Sequence, residues 1–201
     1  TDRSTDLHIL KNYGVDVLLR MAKRSDHSVT LMSAMNFFIK KKIKSIIITD
    51  GNGKDDPRHV QNFIKKFEDG YDFVQGSRYL KKNMEKNTPI LRKILIKLIH
   101  APLTSVACRK KYTDTTNGFR GISHKFLKKN YKKLVRQKLR YYEFYFYICF
   151  LASRLNFKVC EVPVTRKYPI NKIPTKIQTL NQYWEMLKPP LFQALGIKYK
   201  L

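Results

Sequence analysis

Short runs of β-branched apolar residues alternate along the chain with longer segments whose apolar residues recur at helical spacing. The short runs predict strands over Val15–Leu19, Lys44–Thr49, Tyr71–Gln75 and Lys158–Val164. The longer segments predict helices over His8–Tyr13, Val29–Lys41, His59–Glu68, Ile90–Ala107, Tyr141–Leu155 and Leu180–Leu187. Strands that alternate with helices are typical of an α/β fold, and we expect a wound, mainly parallel sheet flanked by helices.

The remaining segments are polar and predict connections. They are Leu80–Asn87, Tyr112–Arg120 and Tyr168–Thr179. Ser4 or Thr5 is the expected cap of the first helix, and Gly14 its end. A chain of 201 residues, 43% of them hydrophobic, is long enough to bury a core and is not typical of a disordered protein. We therefore expect residues 1–201 to form a single domain.

The chain is strongly basic, with 41 Lys and Arg against 15 Asp and Glu and a net charge of +26. Such a charge attracts polyanions: nucleic acid, anionic lipid head groups or phosphorylated substrates. The 12 Tyr and 12 Phe also permit a nucleic-acid-binding module. However, the sequence has no RNP-like, helix-turn-helix or zinc-finger pattern, and its aromatic residues cluster in the apolar helix Tyr141–Leu155, which is more typical of a core.

Cysteine usage and hydropathy indicate the compartment. Cys108, Cys149 and Cys160 lack the spacing of metal ligands, which indicates a reducing environment. No secretory signal opens the chain, and its longest apolar run, Phe144–Leu155, is too short to span a bilayer. We expect a cytoplasmic protein that binds the cytoplasmic membrane face peripherally. The basic segments expected to dock on anionic lipid are Lys81–Lys86, the helix from Arg92, and Lys188–Leu201.

Four polar clusters each follow an apolar run: Asp50–Pro57, Gly76–Arg78, Asp114–Arg120 and Glu161–Pro169. Ligands of open α/β sheets bind beyond the carboxyl ends of the strands, so the first cluster predicts a polar site at the end of its strand, and four such clusters in order are more specific than any one. Asp50 and Asn52 offer hard oxygen atoms two residues apart, which suit Mg²⁺ or Mn²⁺ carrying a substrate phosphate. The planar guanidinium of Arg78 matches phosphate oxygens. An acidic turn after a core strand is the alternative interpretation of the first cluster.

The same segments resemble motifs of the family-2 glycosyltransferases with a GT-A fold, near the polyprenyl-phosphate sugar transferases. The matching segments are Thr1–Asp6, Asp50-Gly51-Asn52, Gly76-Ser77-Arg78-Tyr79, Asp114–Arg120, Glu161-Val162-Pro163-Val164 and Pro174-Thr175-Lys176-Ile177. Asp50-Gly51-Asn52 stands at the family's Asp-x-Asp metal motif, and Asp114–Arg120 matches its Asp-x-x-x-Gly-Phe-Arg segment. The resemblance covers nearly the whole chain, and is greatest to a bacterial branch associated with lipopolysaccharide and other surface polysaccharides.

The resemblance implies an inverting transfer of a sugar from a nucleotide-diphosphate donor, with UDP and GDP both compatible, to a lipid-phosphate or glycan acceptor. It implies Mg²⁺ or Mn²⁺ at Asp50 and Asn52. The residues that it implies for donor binding are Asp2, Asp6, Asp50, Gly51, Lys54, Arg78 and Arg92. Arg78 is also expected to act in catalysis, because a positive charge stabilises the departing diphosphate.

Asp114 is the candidate general base if the acceptor is a hydroxyl group. Orienting the acceptor or capping the loop is its alternative role, and a lipid phosphate, already anionic, needs no strong base. Glu143 is a second candidate base, with burial beside aromatic residues as the alternative. Arg120 is expected to brace its loop rather than to touch substrate.

Two departures from the family pattern bear on activity. Asn52 replaces the second aspartate of the metal motif, and Lys54 stands where related transferases carry a metal-binding glutamine. An amide binds Mg²⁺ more weakly than a carboxylate does, whereas a lysine pairs with the diphosphate itself. Asp55 and Asp56 are candidates to compensate for the weaker metal binding.

The second departure is at the N-terminus. The family's first strand and base-binding Pro-x-Tyr-Asn-Glu segment are absent, so we expect an N-terminally truncated domain. A non-catalytic GT-A scaffold subunit is a further alternative.

Overall fold

The structure is a computed structural model that describes residues 27–137, 139, 143–170 and 179–197. Several sequence predictions lie outside these residues. They are the sites Asp2 and Asp6, the helix His8–Tyr13 with its caps, the strand Val15–Leu19, and the Pro174–Ile177 loop.

The described residues form an α/β structure. The helices are α1 (His27–Lys40), α2 (Val60–Glu68), α3 (Ile90–Leu95), α4 (Ala101–Cys108), α5 (His124–Arg136), α6 (Glu143–Arg154) and α7 (Leu180–Leu195). The strands are β1 (Ser45–Ile48), β2 (Phe73–Ser77), β3 (Glu85–Lys86), β4 (Arg120–Ser123), β5 (Val159–Pro163) and β6 (Arg166–Lys167). A 3₁₀ turn (Pro57–His59) precedes α2, and a π-helical segment (Ile96–His100) joins α3 to α4.

The main sheet is mixed, with the strand order β1-β4-β2-β5, so the expectation of a mainly parallel sheet is wrong for the described strands. Strand β4 runs antiparallel to both β1 and β2, and β5 pairs parallel to β2. Strand β4 has no strand signal in the sequence, because only one of its four residues, Ile122, is a large apolar residue. Its Gly121 lies under α2, where a Cβ would meet the Phe67 ring at 2.6 Å.

Alternating side chains of the sheet build a core on each face. On one face, Phe73 of β2 and Ile122 of β4 join a large cluster with Phe126 of α5 and Phe144 of α6. On the other face, Val74 joins a smaller cluster that includes Phe63 and Phe119, whose rings stack with centroids 4.6 Å apart. Helix α2 is therefore fixed on one side of the sheet, and helices α5 and α6 on the other.

The mixed topology still brings the polar clusters to one edge. Strands β1, β2 and β5 all run in the same direction, so the segments that follow them leave at the same end of the sheet. The third cluster, Asp114–Arg120, precedes β4 and ends at the first residue of that strand, Arg120. Because β4 runs the opposite way, its first residue lies at that same edge. The two-stranded sheet of β3 and β6 adds to this edge.

Most of the predicted helices are confirmed, with two differences. Helix α5 has strong amphipathic spacing but was not predicted. Helix α7 runs to Leu195 rather than Leu187, through Pro189 and Pro190, and Gly196 ends it in the left-handed region at φ 68°. None of the described helices combines the length and the apolar character that a membrane crossing requires.

Candidate functional site

A buried ion pair joins the second and third clusters. The Arg78 guanidinium, directly after β2, donates from Nε to Asp114 Oδ2 at 2.6 Å and from Nη2 to Asp114 Oδ1 at 2.9 Å. The exposed fractions of the two side chains are 1% and 0%. Burial alone raises the pKa of Asp114, but the Arg78 charge and its hydrogen bonds outweigh burial and lower it. Asp114 is therefore a carboxylate that holds an arginine rather than a free base.

The loop that carries Asp114 is fixed from β5. The Glu161 carboxylate accepts hydrogen bonds from the backbone N–H groups of Thr113, at 2.9 Å, and Asp114, at 3.0 Å. It also accepts one from the Thr113 hydroxyl. Glu161 belongs to one of the matching motifs, but no role was predicted for it from the sequence. The sequence signal that could have indicated this role is a carboxylate between the apolar residues of a predicted strand.

Arg120 closes the other end of this loop, as expected. Its guanidinium is buried and donates to the backbone carbonyls of Thr115, at 2.7 Å, and Asn117, at 3.0 Å. It also donates to Tyr145 O of α6 at 2.6 Å. The prediction that Arg120 braces the loop is confirmed. Glu143 is the first residue of α6, and its proposed role as a base stays a prediction.

A second group of ion pairs joins the first and fourth clusters. Arg166, the first residue of β6, donates from Nη2 to Asp50 Oδ2 at 3.0 Å and from Nη1 to Asp55 Oδ2 at 2.5 Å. Its backbone forms an antiparallel bridge with Asp55, which fixes it beside the first cluster. Gly118 lies close against the same carboxylate, since a Cβ there would be 2.9 Å from Asp50 Oδ1. In the sequence, Arg166 stands out only as a member of the fourth polar cluster, Glu161–Pro169.

Tyr168 lies at the centre of the basic residues. The Lys54 Nζ lies 5.0 Å from its ring centre, and the guanidinium carbons of Arg92 and Arg166 lie 5.8 and 5.9 Å away. Arg78 Nη1 donates to its hydroxyl at 3.3 Å. Burial raises the pKa of Tyr168, but the charges of Arg78, Arg92 and Arg166 outweigh burial and lower it. The site therefore favours negative charge at this point.

Four of the five predicted donor-binding residues that the structure describes come together around the Arg78–Asp114 pair and the two ion pairs of Arg166. Asp50, Lys54, Arg78 and Arg92 all contact the network, directly or through Tyr168. Gly51 is exposed, and nothing lies within 4 Å of where its Cβ would be. Asp56 instead pairs with exposed Arg58 at 2.6 Å and caps the 3₁₀ turn.

An open cleft of about 340 Å³ borders the network. Its lining residues are Gly53, Lys54, Asp55, Asp56, Pro57, Arg58, Lys86, Thr165 and Lys167. The cations among them outnumber the carboxylates, so the cleft is suited to an anionic ligand. Its volume lies at the lower end of the range for small-molecule sites.

Comparison with known proteins adds one relative without a stated activity. No family model matches the chain. The chain is similar to the uncharacterised protein MJ1222 of Methanocaldococcus jannaschii, with 32% identity over 129 residues. The matched region covers 63% of this chain and 51% of the archaeal protein, so the chain spans about half the length of that relative.

Proposed function

We propose that this chain is a catalytic domain of the family-2 glycosyltransferase type, with a GT-A fold, acting in the synthesis of a cell-surface polysaccharide. It transfers a sugar with inversion from a nucleotide-diphosphate donor to a lipid-phosphate acceptor, or alternatively to a glycan. One observation carries the proposal. Matching motifs that lie far apart in the chain converge at one sheet edge beside a basic cleft: Arg78 pairs with Asp114, whose backbone N–H donates to Glu161, and Gly118 lies against Asp50.

The residues at this edge of the sheet have different roles in the proposed reaction. Departure of the nucleoside diphosphate leaves negative charge on its oxygens, and preorganised cations stabilise such charge. Lys54, Arg92 and Arg166, gathered around Tyr168, supply this stabilisation. Arg78 keeps Asp114 ionised and in place. Glu161 and Arg120 hold the loop that carries Asp114.

The state of Asp114 favours the lipid-phosphate acceptor. A general base works best when its pKa lies near the operating pH. The pKa of Asp114 is lowered and both of its oxygens accept hydrogen bonds from Arg78, so it is poorly suited to take a proton from a hydroxyl. A phosphate acceptor is already anionic and needs no such step.

An apolar stripe beside the site supports action at a membrane surface. Ile90 and Ile94 of α3, and Leu98 of the π-helical segment that continues it, recur every four residues, and Ile90 and Leu98 are 77% and 71% exposed. Exposed Lys97 lies in the same π-helical segment, and exposed Lys81 and Lys82 lie in the loop before α3. Apolar side chains flanked by lysines suit an anionic lipid surface, because burial and charge attraction act together.

A transfer assay tests the proposal. The full chain is mixed with polyprenyl phosphate in anionic vesicles and with labelled UDP- or GDP-sugars, and label in the lipid is counted. We expect transfer with one nucleotide class, and a loss of at least tenfold in Asp50→Asn. The matched control is Asp69→Asn, which makes the same change at an exposed aspartate at the end of α2. A folded chain that transfers no sugar to lipid or glycan from any donor would overturn the proposal.

A further inference from the structure

The oxygen atoms expected to bind a divalent metal are already engaged. The Asn52 amide donates from Nδ2 to Asp50 Oδ2 at 3.3 Å, while its Oδ1 accepts the backbone N–H of Lys54 at 3.2 Å. Asn52 thus presents its donor, not its acceptor, to Asp50. Among the residues that the structure describes, no three His, Cys, Asp or Glu side chains converge to hold a metal ion. The donor set does not fit the Asp-x-Asp metal site that the family resemblance implies.

A guanidinium occupies the position between the two carboxylates instead. Arg166 contacts Asp50 at 3.0 Å and Asp55 at 2.5 Å, and its side chain is only 9% exposed. Backbone hydrogen bonds hold it there, with Arg166 N donating to Met84 O at 3.0 Å and β6 pairing with β3. A divalent ion at this point would meet a fixed positive charge, which disfavours it.

Arg166 also has the chemistry to bridge carboxylate and phosphate oxygens. A guanidinium carries five N–H donors in a planar fork, so it can bind carboxylates and a phosphate at once. Lys54 and Arg92 lie on the same aromatic ring as Arg166, and the basic cleft opens beside Lys54.

We propose that Arg166 takes the place of the divalent metal, so that this site binds the diphosphate group of a nucleotide directly and without Mg²⁺ or Mn²⁺. The inference rests on the proposed function, because it concerns the donor diphosphate of that reaction. It adds that the carboxylates of the first cluster position an arginine and are not metal ligands.

The test measures binding rather than turnover. Binding of UDP, GDP and inorganic pyrophosphate to the full chain is measured by calorimetry, once with chelator and once with Mn²⁺, and bound Mn²⁺ is counted by electron paramagnetic resonance. We expect one nucleotide to bind with the same affinity, within about twofold, under both conditions. We also expect the wild-type chain to bind no Mn²⁺ at stoichiometric level.

Arg166→Gln should reverse both properties. Without the guanidinium, metal-free binding should weaken at least tenfold, and Asp50 and Asp55 should acquire affinity for Mn²⁺. A gain of Mn²⁺ binding that is lost again in Arg166→Gln/Asp50→Asn cannot arise from unfolding. The matched control is Arg136→Gln, which removes an exposed arginine at the end of α5.

The remaining outcomes separate this inference from the proposed function. Nucleotide binding that requires Mn²⁺, with stoichiometric Mn²⁺ in the wild-type chain, would overturn the role of Arg166 and leave the glycosyltransferase proposal intact. If neither nucleotides nor pyrophosphate bind under either condition, the diphosphate site itself is wrong, and both proposals fail.

Discussion

Glu161 and Asp114 are joined by a hydrogen bond of 3.0 Å from the Asp114 backbone N–H to the Glu161 carboxylate. A residue in the parallel strand β5 thereby fixes the loop whose aspartate pairs with Arg78, the residue that follows β2. Because β2 and β5 are neighbours, the sheet sets the distance between the arginine and its partner. The geometry of the site thus depends on a carboxylate that was not itself predicted as a site residue but holds the backbone of one, Asp114.

Glu161→Ala should destabilise the protein and disorder this loop. The change leaves two part-buried backbone N–H groups without their acceptor, and hydrogen bonds to a charged group contribute about 1.5–3 kcal/mol each. We expect the free energy of unfolding in urea to fall by about 2–3 kcal/mol. Glu68→Ala, at an exposed glutamate of α2, should change it by less than about 0.5 kcal/mol. Equal, small effects of both changes would show that the loop does not need Glu161.

The buried pair of Arg78 and Asp114 should show strong coupling. Removing one partner leaves an uncompensated buried charge, so Arg78→Met and Asp114→Asn should each cost about 3–5 kcal/mol of unfolding free energy. The double variant should cost clearly less than the sum of the two, as measured by a double-mutant cycle in urea. At the exposed pair of Lys66 and Asp69, the same cycle should give no measurable coupling. Additive effects at Arg78 and Asp114 would contradict the bidentate geometry.

Local patterns predict much of this fold but not its pairings. Strands β1, β2 and β5 and the long helix from Ile90 were predictable because each is a continuous apolar or periodic run. Strand β4 was not, because Arg120-Gly121-Ile122-Ser123 has almost no β-branched content and forms only where two neighbours flank it. Helix α7 continues through two prolines that typically end a helix, so its length was underestimated.

For the candidate site too, the sequence predicts local features but not the contacts between distant residues. The structure brings the polar clusters to one edge of the sheet, whereas the strand-end rule predicted a polar site only for the first of them. It does not state which cation meets which carboxylate, because that depends on contacts between residues far apart in the chain. The pairing of Arg166 with both Asp50 and Asp55 arises from the short strand β6, which lies between the predicted strand Lys158–Val164 and the predicted connection Tyr168–Thr179.

His100 should make stability depend on pH. The imidazole is fully buried in the π-helical segment against the Phe146 ring, with centroids 4.6 Å apart, and Nδ1 lies 3.3 Å from the Thr115 hydroxyl. Burial lowers the pKa of His100 to about 3. The unfolded chain binds a proton near pH 6.5 and the folded one does not, so stability is complete above pH 6.5 and falls as pH decreases toward 3.

The expected loss from His100 between pH 7.5 and pH 5 is about 2 kcal/mol of unfolding free energy. Urea titrations across this range measure it. His100→Asn keeps a polar group near the Nδ1 position but does not titrate, so its profile should lack this loss even if the variant is less stable throughout. Parallel profiles for the wild-type chain and His100→Asn would show that the histidine is not held neutral.

The apolar stripe should decide whether the chain binds vesicles. Leu98→Glu removes an exposed apolar side chain and adds a negative charge, so its partition onto anionic vesicles should fall at least about tenfold, since burying one such side chain contributes about 1.5–3 kcal/mol. Val135→Glu makes a comparable change at an exposed position of α5 and should leave binding unchanged. Co-sedimentation with anionic and neutral vesicles gives both values. If Leu98→Glu binds anionic vesicles as the wild-type chain does, while higher salt releases both, then lysines alone hold the chain on lipid and the stripe has no part in it.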